Sequence, residues 1–350
     1  MKFEECLEKI LPLDEKAKDA CQKRWDSIAK PLKSLGKFEE HLVQIAGIQR
    51  TSQIHFNKKV LVIMCADNGV VAEGVTQTGQ EVTAIVAENF LDGKSCAAIM
   101  CKDTRTDIFP IDIGMATDTP RVRKEKIAYG TKNMAKEPAM TREEAIHAIE
   151  IGIILAEELK AQGYDVIATG EMGIGNTTTS SAVASVLLKK PVGQVTGKGA
   201  GLSSQGLCKK IQVIEKSIAK HKPDGNDPVD VLSKVGGFDL AGLTGLCLGG
   251  AAQKIPVVID GFISSVAALL AVRLCPQAGD YILASHVSKE PAGAMILEAL
   301  NKSPSLTCDM CLGEGTGAVS LFPLLEMALH IYEKMSTFAQ IEIEDYVPLE

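Results

Sequence analysis

The segment DVIATGEMGIGNTTTSSAVASVLL, residues 165–188, decides the fold. It begins with a short apolar run that predicts a buried strand, and it ends with an apolar run that predicts a buried helix. The turn between them contains Gly173 and Gly175 and leads into a series of hydroxyl side chains. Amide groups at a helix N-terminus lack partners within the helix and carry partial positive charge, so such a turn suits a phosphate group. The alternative interpretation is that the glycines only close the turn and that a threonine caps the helix.

Three further apolar runs resemble the one that precedes Glu171. They are KKVLVIMCADNGV (58–70), KIPVVIDGF (254–262) and GDYILASH (279–286). Continuous runs rich in Val and Ile are typical of parallel strands that helices cover on both faces. Together these runs predict an α/β fold in which a parallel Rossmann-like sheet is flanked by helices.

The first 58 residues follow a different pattern. Leu, Ile and Ala recur there at helical spacing between lysines and acidic residues, which predicts a helical section. We expect residues 1–58, with some C-terminal residues, to form a second, smaller helical domain. Residues 59–335 are predicted to form the large α/β domain that carries any catalytic residues, and residues 336–350 a C-terminal tail.

Polar and small residues follow each of the four predicted strands. They are Asp67 and Asn68, then Glu171, then Asp260 and Gly261, then Ser285 and His286. Any one of them is explained as a turn residue, because Asp, Asn, Gly and Ser favour turns. Open parallel sheets bind ligands at the carboxyl ends of their strands. Four such strand endings therefore predict a binding site at one edge of the sheet.

The composition narrows the class of protein. The 350-residue chain is 46% hydrophobic and carries a formal net charge of -7, which favours a globular protein and disfavours a nucleic-acid-binding surface. The basic run at 121–126 is short and broken by an acid, and we interpret it as a solvated loop. No run reaches the roughly 18 apolar residues of a membrane span, and the first residues lack the apolar region of a signal peptide. We expect a cytoplasmic protein that binds neither nucleic acid nor membrane.

Ten cysteines are scattered along the chain. Most stand in apolar runs, which predicts reduced core residues. Cys308 and Cys311 have the spacing of a zinc or redox pair, but no second CxxC or histidine pair completes four ligands. We therefore expect no metal site and interpret the two as free thiols.

The glycine turns lack the signatures of larger nucleotides. The sequence has neither the G-x-x-x-x-G-K-[ST] pattern of a triphosphate loop nor a full G-x-G-x-x-G after a strand. A nucleoside monophosphate therefore fits these glycine turns better than a triphosphate or a dinucleotide does. A second glycine cluster, GKGAG (197–201), precedes a predicted helix that contains Lys209 and Lys210. A lysine there would neutralise the same phosphate, and the alternative is a surface lysine on an amphipathic helix.

Glu314 stands in the segment LGEGTGAVSLFPLLEMAL (312–329), between Gly313 and Gly315. A carboxylate presented from such a turn into a partly apolar pocket has a raised pKa and is suited to act as a general base. The alternative is an acidic residue that stabilises a helix N-terminus without any catalytic role.

As a set and in this order, the motifs resemble those of the nicotinate-nucleotide:dimethylbenzimidazole phosphoribosyltransferase family. The matching segments span roughly residues 60–330 and are ADNGVVAEGV (66–75), QEVT (80–83), GTKNMAKEPAMTREEA (130–145), TGEMGIGNTTTSSA (169–182), GKGAGL (197–202), GGFDLAGLTG (236–245), DGFISSVAAL (260–269), SH (285–286) and LGEGTGAVSLFPLLEMAL.

The resemblance implies a reaction. Nicotinate mononucleotide and 5,6-dimethylbenzimidazole, or a related base, would give α-ribazole 5′-phosphate and nicotinate for the lower ligand of cobamides. Glu314 would take the proton from one ring nitrogen of the base while the other nitrogen attacks C1′ of the ribose, and Glu171 would lie beside the sugar. No metal or cofactor is needed, because positioning and one proton transfer suffice. The resemblance also implies a homodimer.

The resemblance further implies which residues bind the substrates. Those expected to bind the phosphate or the rest of the nucleotide are Gly173, Gly175, Asn176, Thr177, Gly199, Gly201, Lys210, Asp260, Gly261 and Ser285. Thr76 and Gln80 are expected to line the acceptor-base pocket.

The sequence departs from the family pattern at two places. Asn68 stands where the family has a histidine, and TQTGQEVT (76–83) replaces a segment that often carries an aromatic residue and a proline. Because that segment shapes the base pocket in the family, transfer to a phenolic or purine base is an alternative. A homologue that binds nucleotides without catalysis is the other.

Overall fold

The computed structural model describes residues 1–344 and 346, and within these residues six strands form one parallel sheet. The strands are β1 Lys59–Ala66, β2 Thr106–Gly114, β3 Arg123–Lys124, β4 Val166–Met172, β5 Val257–Ile259 and β6 Ile282–Ala284. Their spatial order is β3-β2-β1-β4-β5-β6, which is the strand order of the Rossmann fold. The predicted fold class is therefore confirmed. The end of the predicted C-terminal tail, residues 345 and 347–350, lies outside the described residues.

Helices cover both faces of this sheet. In chain order they are α1 Phe3–Lys9, α2 Glu15–Ser27, α3 Lys37–Gln49, α4 Glu81–Leu91, α5 Cys96–Asp103, α6 Arg142–Ala161, α7 Asn176–Leu188, α8 Val192–Val195, α9 Ser204–His221, α10 Pro228–Val235, α11 Phe238–Gln253, α12 Phe262–Leu274, α13 Gly293–Ala299 and α14 Thr316–Lys334. Helix α11 packs against both α6 and α12, while α14 packs against α5. Helices α6, α11 and α12 therefore form one packed group, and α5 and α14 form another. None of the described helices is long and apolar enough to cross a membrane.

The apolar sequences of the central strands agree with their burial in the sheet. All eight residues of β1 are buried, and so are the first six of β4. Both strands are central in the sheet and are covered by helices on each face, which explains why they read as continuous apolar runs. The polar residues that follow β1, β4, β5 and β6 consequently meet at one edge of the sheet.

Two strands had not been predicted from the sequence. In β2 the apolar pattern is interrupted by two aspartates and a proline, so it lacks the continuous run that marks the other strands. The prediction that residues 121–126 form only a solvated loop was wrong at Arg123–Lys124, which pair with Ile111 and Asp112 of β2. Both residues of β3 are nevertheless exposed.

The N-terminal helices pack together and against the C-terminal part of the chain. The side chain of Trp25 on α2 is fully buried, and its ring centroid lies 5.2 Å from that of Tyr332 on α14. Ile28 forms an antiparallel bridge with Thr337. Helix α1 contacts both α6 and α11, so the buried residues of this section are continuous with those around the sheet. The division into a large and a small domain stays a prediction.

Candidate active site

A cavity of about 250 Å³ lies at the carboxyl ends of β4, β5 and β6. The first turns of α7 and α12 and the loop before α14 form its walls. Polar groups and glycines share the lining with apolar side chains, among which are Met172, Ile174, Phe262, Ile263 and Leu312. A concave site with an apolar wall and a few convergent polar groups suits a flat organic ring that carries a polar substituent.

The end of β1 holds the glycine turn before α7. The Thr83 hydroxyl donates to the Asp67 carboxylate at 2.6 Å and accepts from the Ile174 amide at 3.1 Å. A Cβ added at Gly173 would lie 2.0 Å from the Ala66 carbonyl oxygen, and Gly175 has φ +93°. The turn therefore requires glycine at both positions. It directs the first turn of α7 toward the cavity, where Asn176 and Thr177 line the wall.

The second glycine cluster meets this turn at Lys210. The Lys210 ammonium donates to the Thr177 hydroxyl at 2.8 Å and to the Gly197 carbonyl oxygen at 3.3 Å. Its side chain is 1% exposed, and burial lowers the pKa of Lys210 to about 8. Gly199 lines the cavity beside it. The structure thus brings two predicted phosphate-binding segments together around one buried cation, whereas Lys209 is exposed.

The backbone that presents Glu314 is unusual. Gly313, Glu314 and Gly315 have φ values of +91°, +61° and +88°, so three successive residues lie in the left-handed region. A glutamate there is strained, and such strain is characteristic of functional sites. The Ala97 amide, in the first turn of α5, approaches Glu314 Oε2 at 3.5 Å. Burial raises the pKa of Glu314, in the direction that a general base near neutral pH needs.

Glu171 lies near the end of β4 and lines the same cavity as Glu314. Its carboxylate accepts a hydrogen bond from the side-chain amide of Asn176. A Cβ added at Gly313 would lie 2.4 Å from Glu171 Oε1, so the loop that carries Glu314 passes directly over Glu171. Burial raises the pKa of Glu171, and the charges of Asp239 and Asp260 raise it further. The two predicted catalytic carboxyl groups therefore face one cavity.

Asp260 and Ser285 have structural contacts of their own. The Asp260 carboxylate accepts from the Gly317 amide at 2.7 Å and from the Gly315 amide at 3.1 Å, at the N-terminus of α14. The Ser285 hydroxyl is fully buried and donates to the Ile259 carbonyl oxygen at 2.6 Å. Asp260 and Gly261 line the cavity, but Ser285 lies behind its wall.

The predicted acceptor-pocket residues lie beside the cavity, not on its wall. The Thr76 hydroxyl donates to the Thr78 carbonyl oxygen at 2.9 Å, and the Gln80 side-chain amide donates to the Asn68 backbone carbonyl oxygen at 3.2 Å. The side-chain amide of Gln77, which lies between them in the sequence, donates to the Gly201 carbonyl oxygen. The segment 76–80 therefore contacts the second glycine cluster, and Gly201 serves that contact.

His286, which the sequence places at a strand ending, lines the cavity. Ser288 and Glu290 follow it and also line the cavity, although the sequence had not predicted them as site residues. Burial lowers the pKa of His286, whose Nδ1 lies 3.9 Å from the Asp260 carboxylate. The signal that would have found Ser288 and Glu290 is the run of polar residues that continues past the strand end in ASHVSKE (284–290).

The described residues contain no cluster of three or more His, Cys, Asp or Glu side chains arranged to hold a metal ion. All ten cysteines lie in the described part of the chain, and each is a free thiol there. Six of them are buried, as most were predicted to be. Cys308 and Cys311 are exposed, and Cys311 lines the rim of the cavity.

Comparison with known proteins extends the similarity over nearly the whole chain. A family model described as phosphoribosyltransferase matches residues 10–343. A nicotinate-nucleotide–dimethylbenzimidazole phosphoribosyltransferase of Ruminiclostridium cellulolyticum is 49% identical over 352 residues and is covered completely, as is this chain. The protein of the same name from Acetivibrio thermocellus is 47% identical, with 98% of each chain covered.

A solved structure agrees with these sequence relatives. The fold is similar to a crystal structure of CobT from Thermus thermophilus, with a TM-score of 0.89 and 36% sequence identity. The match covers 95% of this chain and 100% of that chain.

Proposed function

The chain belongs to the nicotinate-nucleotide–dimethylbenzimidazole phosphoribosyltransferase family, and from this premise we propose how its cavity carries out the reaction. The enzyme transfers the phosphoribosyl group of nicotinate mononucleotide to dimethylbenzimidazole, in the assembly of the lower ligand of cobamides. The observation that supports this function most directly is the single cavity that Glu314, Glu171 and the first turn of α7 share.

Glu314 is the general base in this proposal. Its carboxylate takes the proton from one ring nitrogen of the benzimidazole while the other nitrogen attacks C1′ of the ribose. The bond from C1′ to the pyridine nitrogen breaks, and the electron pair neutralises the cationic ring of the departing nicotinate. Attack from the face opposite the leaving group converts a β-linkage to an α-linkage. The raised pKa of Glu314 supports the role, because the base must hold a proton after transfer.

The phosphate of the nucleotide binds at the first turn of α7 in this proposal. The amides at the helix start and the ammonium of Lys210 supply the positive charge that the phosphate needs. The contact between Lys210 and Thr177 supports this assignment. Glu171 faces the ribose from the strand end, so that a carboxylate lies close to the positive charge that develops at C1′.

Two properties beyond the chemistry are part of the proposal. We expect a homodimer, which the family resemblance implies and which sedimentation analysis of the purified protein would test. We also expect a cytoplasmic enzyme, which the ten unpaired thiols of the described chain support, because exported proteins tend to form disulfides.

Incubation with nicotinate mononucleotide and a panel of bases, followed by mass analysis, tests the function. We expect nicotinate release and a ribazole phosphate product with dimethylbenzimidazole. Faster transfer to a phenol or to adenine would favour the alternative acceptor that the 76–83 segment suggested. No nicotinate release with any base would favour a protein that binds nucleotides without catalysis.

A further inference from the structure

Asp239 lies in the first turn of α11, does not line the cavity and is fully buried. Neither of its carboxyl oxygens has a hydrogen-bond partner among the described residues. A buried carboxylate without donors is very unfavourable, since the charge loses its hydration and gains nothing in exchange. The group therefore needs either a proton or a bound cation.

A second unpartnered oxygen lies next to it. Asn68 Oδ1 is also buried without a donor. A Cβ added at Gly237 would lie 2.4 Å from Asp239 Oδ1 and 2.8 Å from Asn68 Oδ1, so both oxygens flank the same side of Gly237. Two acceptors side by side lack one donor, and a proton on the Asp239 carboxyl group supplies it.

The charges around Asp239 are acidic. Asp67 and Cys65 face it from the end of β1, and Glu171 faces it from β4. Asp260 and Glu314 in turn face Glu171 from the end of β5 and from the loop before α14, and Lys126 faces Asp67. Like charges that are buried together disfavour one another's ionised forms, which favours a proton retained within the group.

The proton belongs on the group with fewer donors. The Asn176 side-chain amide donates to Glu171 Oε2, which favours the ionised form of Glu171. The same side chain and the Leu240 backbone amide lie near Asp239 and lower its pKa, but neither completes a hydrogen bond to its carboxyl group among the described residues. We propose that Asp239 holds a proton in the resting enzyme and is a positioning residue for Glu171, which thereby faces the ribose as the single carboxylate of the pair. The assignment to the ribose rests on the proposed function, but the protonation state of Asp239 does not.

Infrared spectroscopy of the unliganded protein at pH 6 tests the proposal. We expect a carbonyl band of a protonated carboxylic acid in the wild-type protein and the loss of one such band in Asp239→Asn. Thr244→Val removes a buried hydroxyl from the same helix without a titratable group, so its spectrum should retain the band. A band that persists in Asp239→Asn and disappears in Glu171→Gln would overturn the proposal, as would a wild-type protein without the band.

Thermal unfolding between pH 4 and 9 is an independent measurement. Burial raises the pKa of Asp239 to about 7, so the folded protein binds a proton that the unfolded chain releases above its own lower pKa. The melting temperature of the wild type should therefore fall relative to that of Asp239→Asn as the pH rises from about 4 to about 7, and the difference should be constant above that pH. A difference that stays constant over the whole pH range would contradict a retained proton. If Asp239→Asn does not fold, the wild-type band should lose intensity as the pH rises above about 7. Neither experiment uses a substrate, so each is independent of the transfer assay.

Discussion

At the scale of single residues, the backbone at Glu314 carries a testable consequence. Replacing Glu314 with Gln preserves the size of the side chain and removes its capacity to accept a proton. We expect kcat to fall by about 10²- to 10⁴-fold, or roughly 3 to 5 kcal/mol of barrier, with little change in nucleotide KM. Steady-state kinetics with dimethylbenzimidazole measures the effect. Asp309→Asn, an exposed residue of the same loop with φ +53°, is the matched control.

The pH dependence of kcat checks the same role. A base must be deprotonated to act, so the rate falls on the acid side of its pKa. Because burial raises the pKa of Glu314, this acid limb should lie above the pH at which a solvated glutamate titrates, and Glu314→Gln should lack it. Near-normal turnover of the variant would make Glu314 a structural residue of the helix start, and Glu171 would be the next candidate.

Lys210 gives a prediction about binding. Replacing Lys210 with Ala should raise the KM for nicotinate mononucleotide and affect kcat less, because the lost charge serves the phosphate and not the bond that breaks. Lys209→Ala, the exposed neighbour, should leave KM unchanged. The pKa of about 8 also predicts the direction of the pH dependence of KM. Because Lys210 is charged below this pH and neutral above it, the wild-type KM should rise as the pH increases past about 8. An unchanged KM in Lys210→Ala would remove this lysine from the site.

At the scale of elements, the close approach of α14 to β6 depends on Gly317. A Cβ added there would lie 1.9 Å from His286 Nδ1. Gly317→Ala should therefore destabilise the protein by about 1–3 kcal/mol through crowding, although alanine favours a helix. Urea unfolding measures the loss. Gly193→Ala on α8, where an added Cβ has no neighbour within 4 Å, should be neutral or stabilising by up to about 1 kcal/mol. Equal stability of the two variants would contradict the predicted crowding.

The central strands could be predicted from the sequence because burial on both faces leaves a continuous apolar run, as in β1 and β4. Strand β2 could not, since Asp107, Pro110 and Asp112 break its apolar run. Asp107 is accommodated by a distant residue, because it accepts a hydrogen bond at 2.6 Å from the Tyr164 hydroxyl, 57 residues further along the chain. Local patterns do not reveal such tertiary partners, and β3 is too short to have a pattern of its own.

The candidate site shows the same limit. The glycine turns and Glu314 could be recognised from local sequence patterns, because the backbone there requires glycine next to a functional side chain. The burial of Lys210 against Thr177, 33 residues away, depends on the packing of α9 on α7. No local pattern identifies Asp239, which is a single acid in the apolar segment GGFDLAGLTG (236–245). Its proposed role depends on Glu171 and Asn68, which are distant in the sequence and close in the folded chain.

At the scale of the whole molecule, the fluorescence of Trp25 tests whether the N-terminal helices and the sheet unfold in one cooperative transition. It is the only tryptophan of the sequence, and it is buried between the N-terminal helices and α14. Because these helices share buried residues with the sheet, Trp25 fluorescence and far-ultraviolet circular dichroism should change at the same denaturant midpoint. An earlier fluorescence transition would instead show that the N-terminal section unfolds as a separate domain.

The cysteines give a second prediction for the whole molecule. The purified protein should carry no stoichiometric zinc, and its activity should survive chelators, because no further ligands join Cys308 and Cys311 within the part of the chain that the structure describes. Elemental analysis measures the metal content, and activity before and after treatment with a chelator measures its relevance. One zinc per chain would overturn this prediction.

The shortness of the outer strands restricts how copies of this chain associate. An edge strand with free amide and carbonyl groups is a template for aggregation. Here one edge is β3, two exposed basic residues long, and the other is β6, whose three residues are buried and continue into the bridge between His286 and Leu306. Neither edge offers the long, flat ladder that another chain would extend. The proposed dimer is therefore expected to form through surfaces other than the sheet edges, and the native protein should resist edge-to-edge polymerisation.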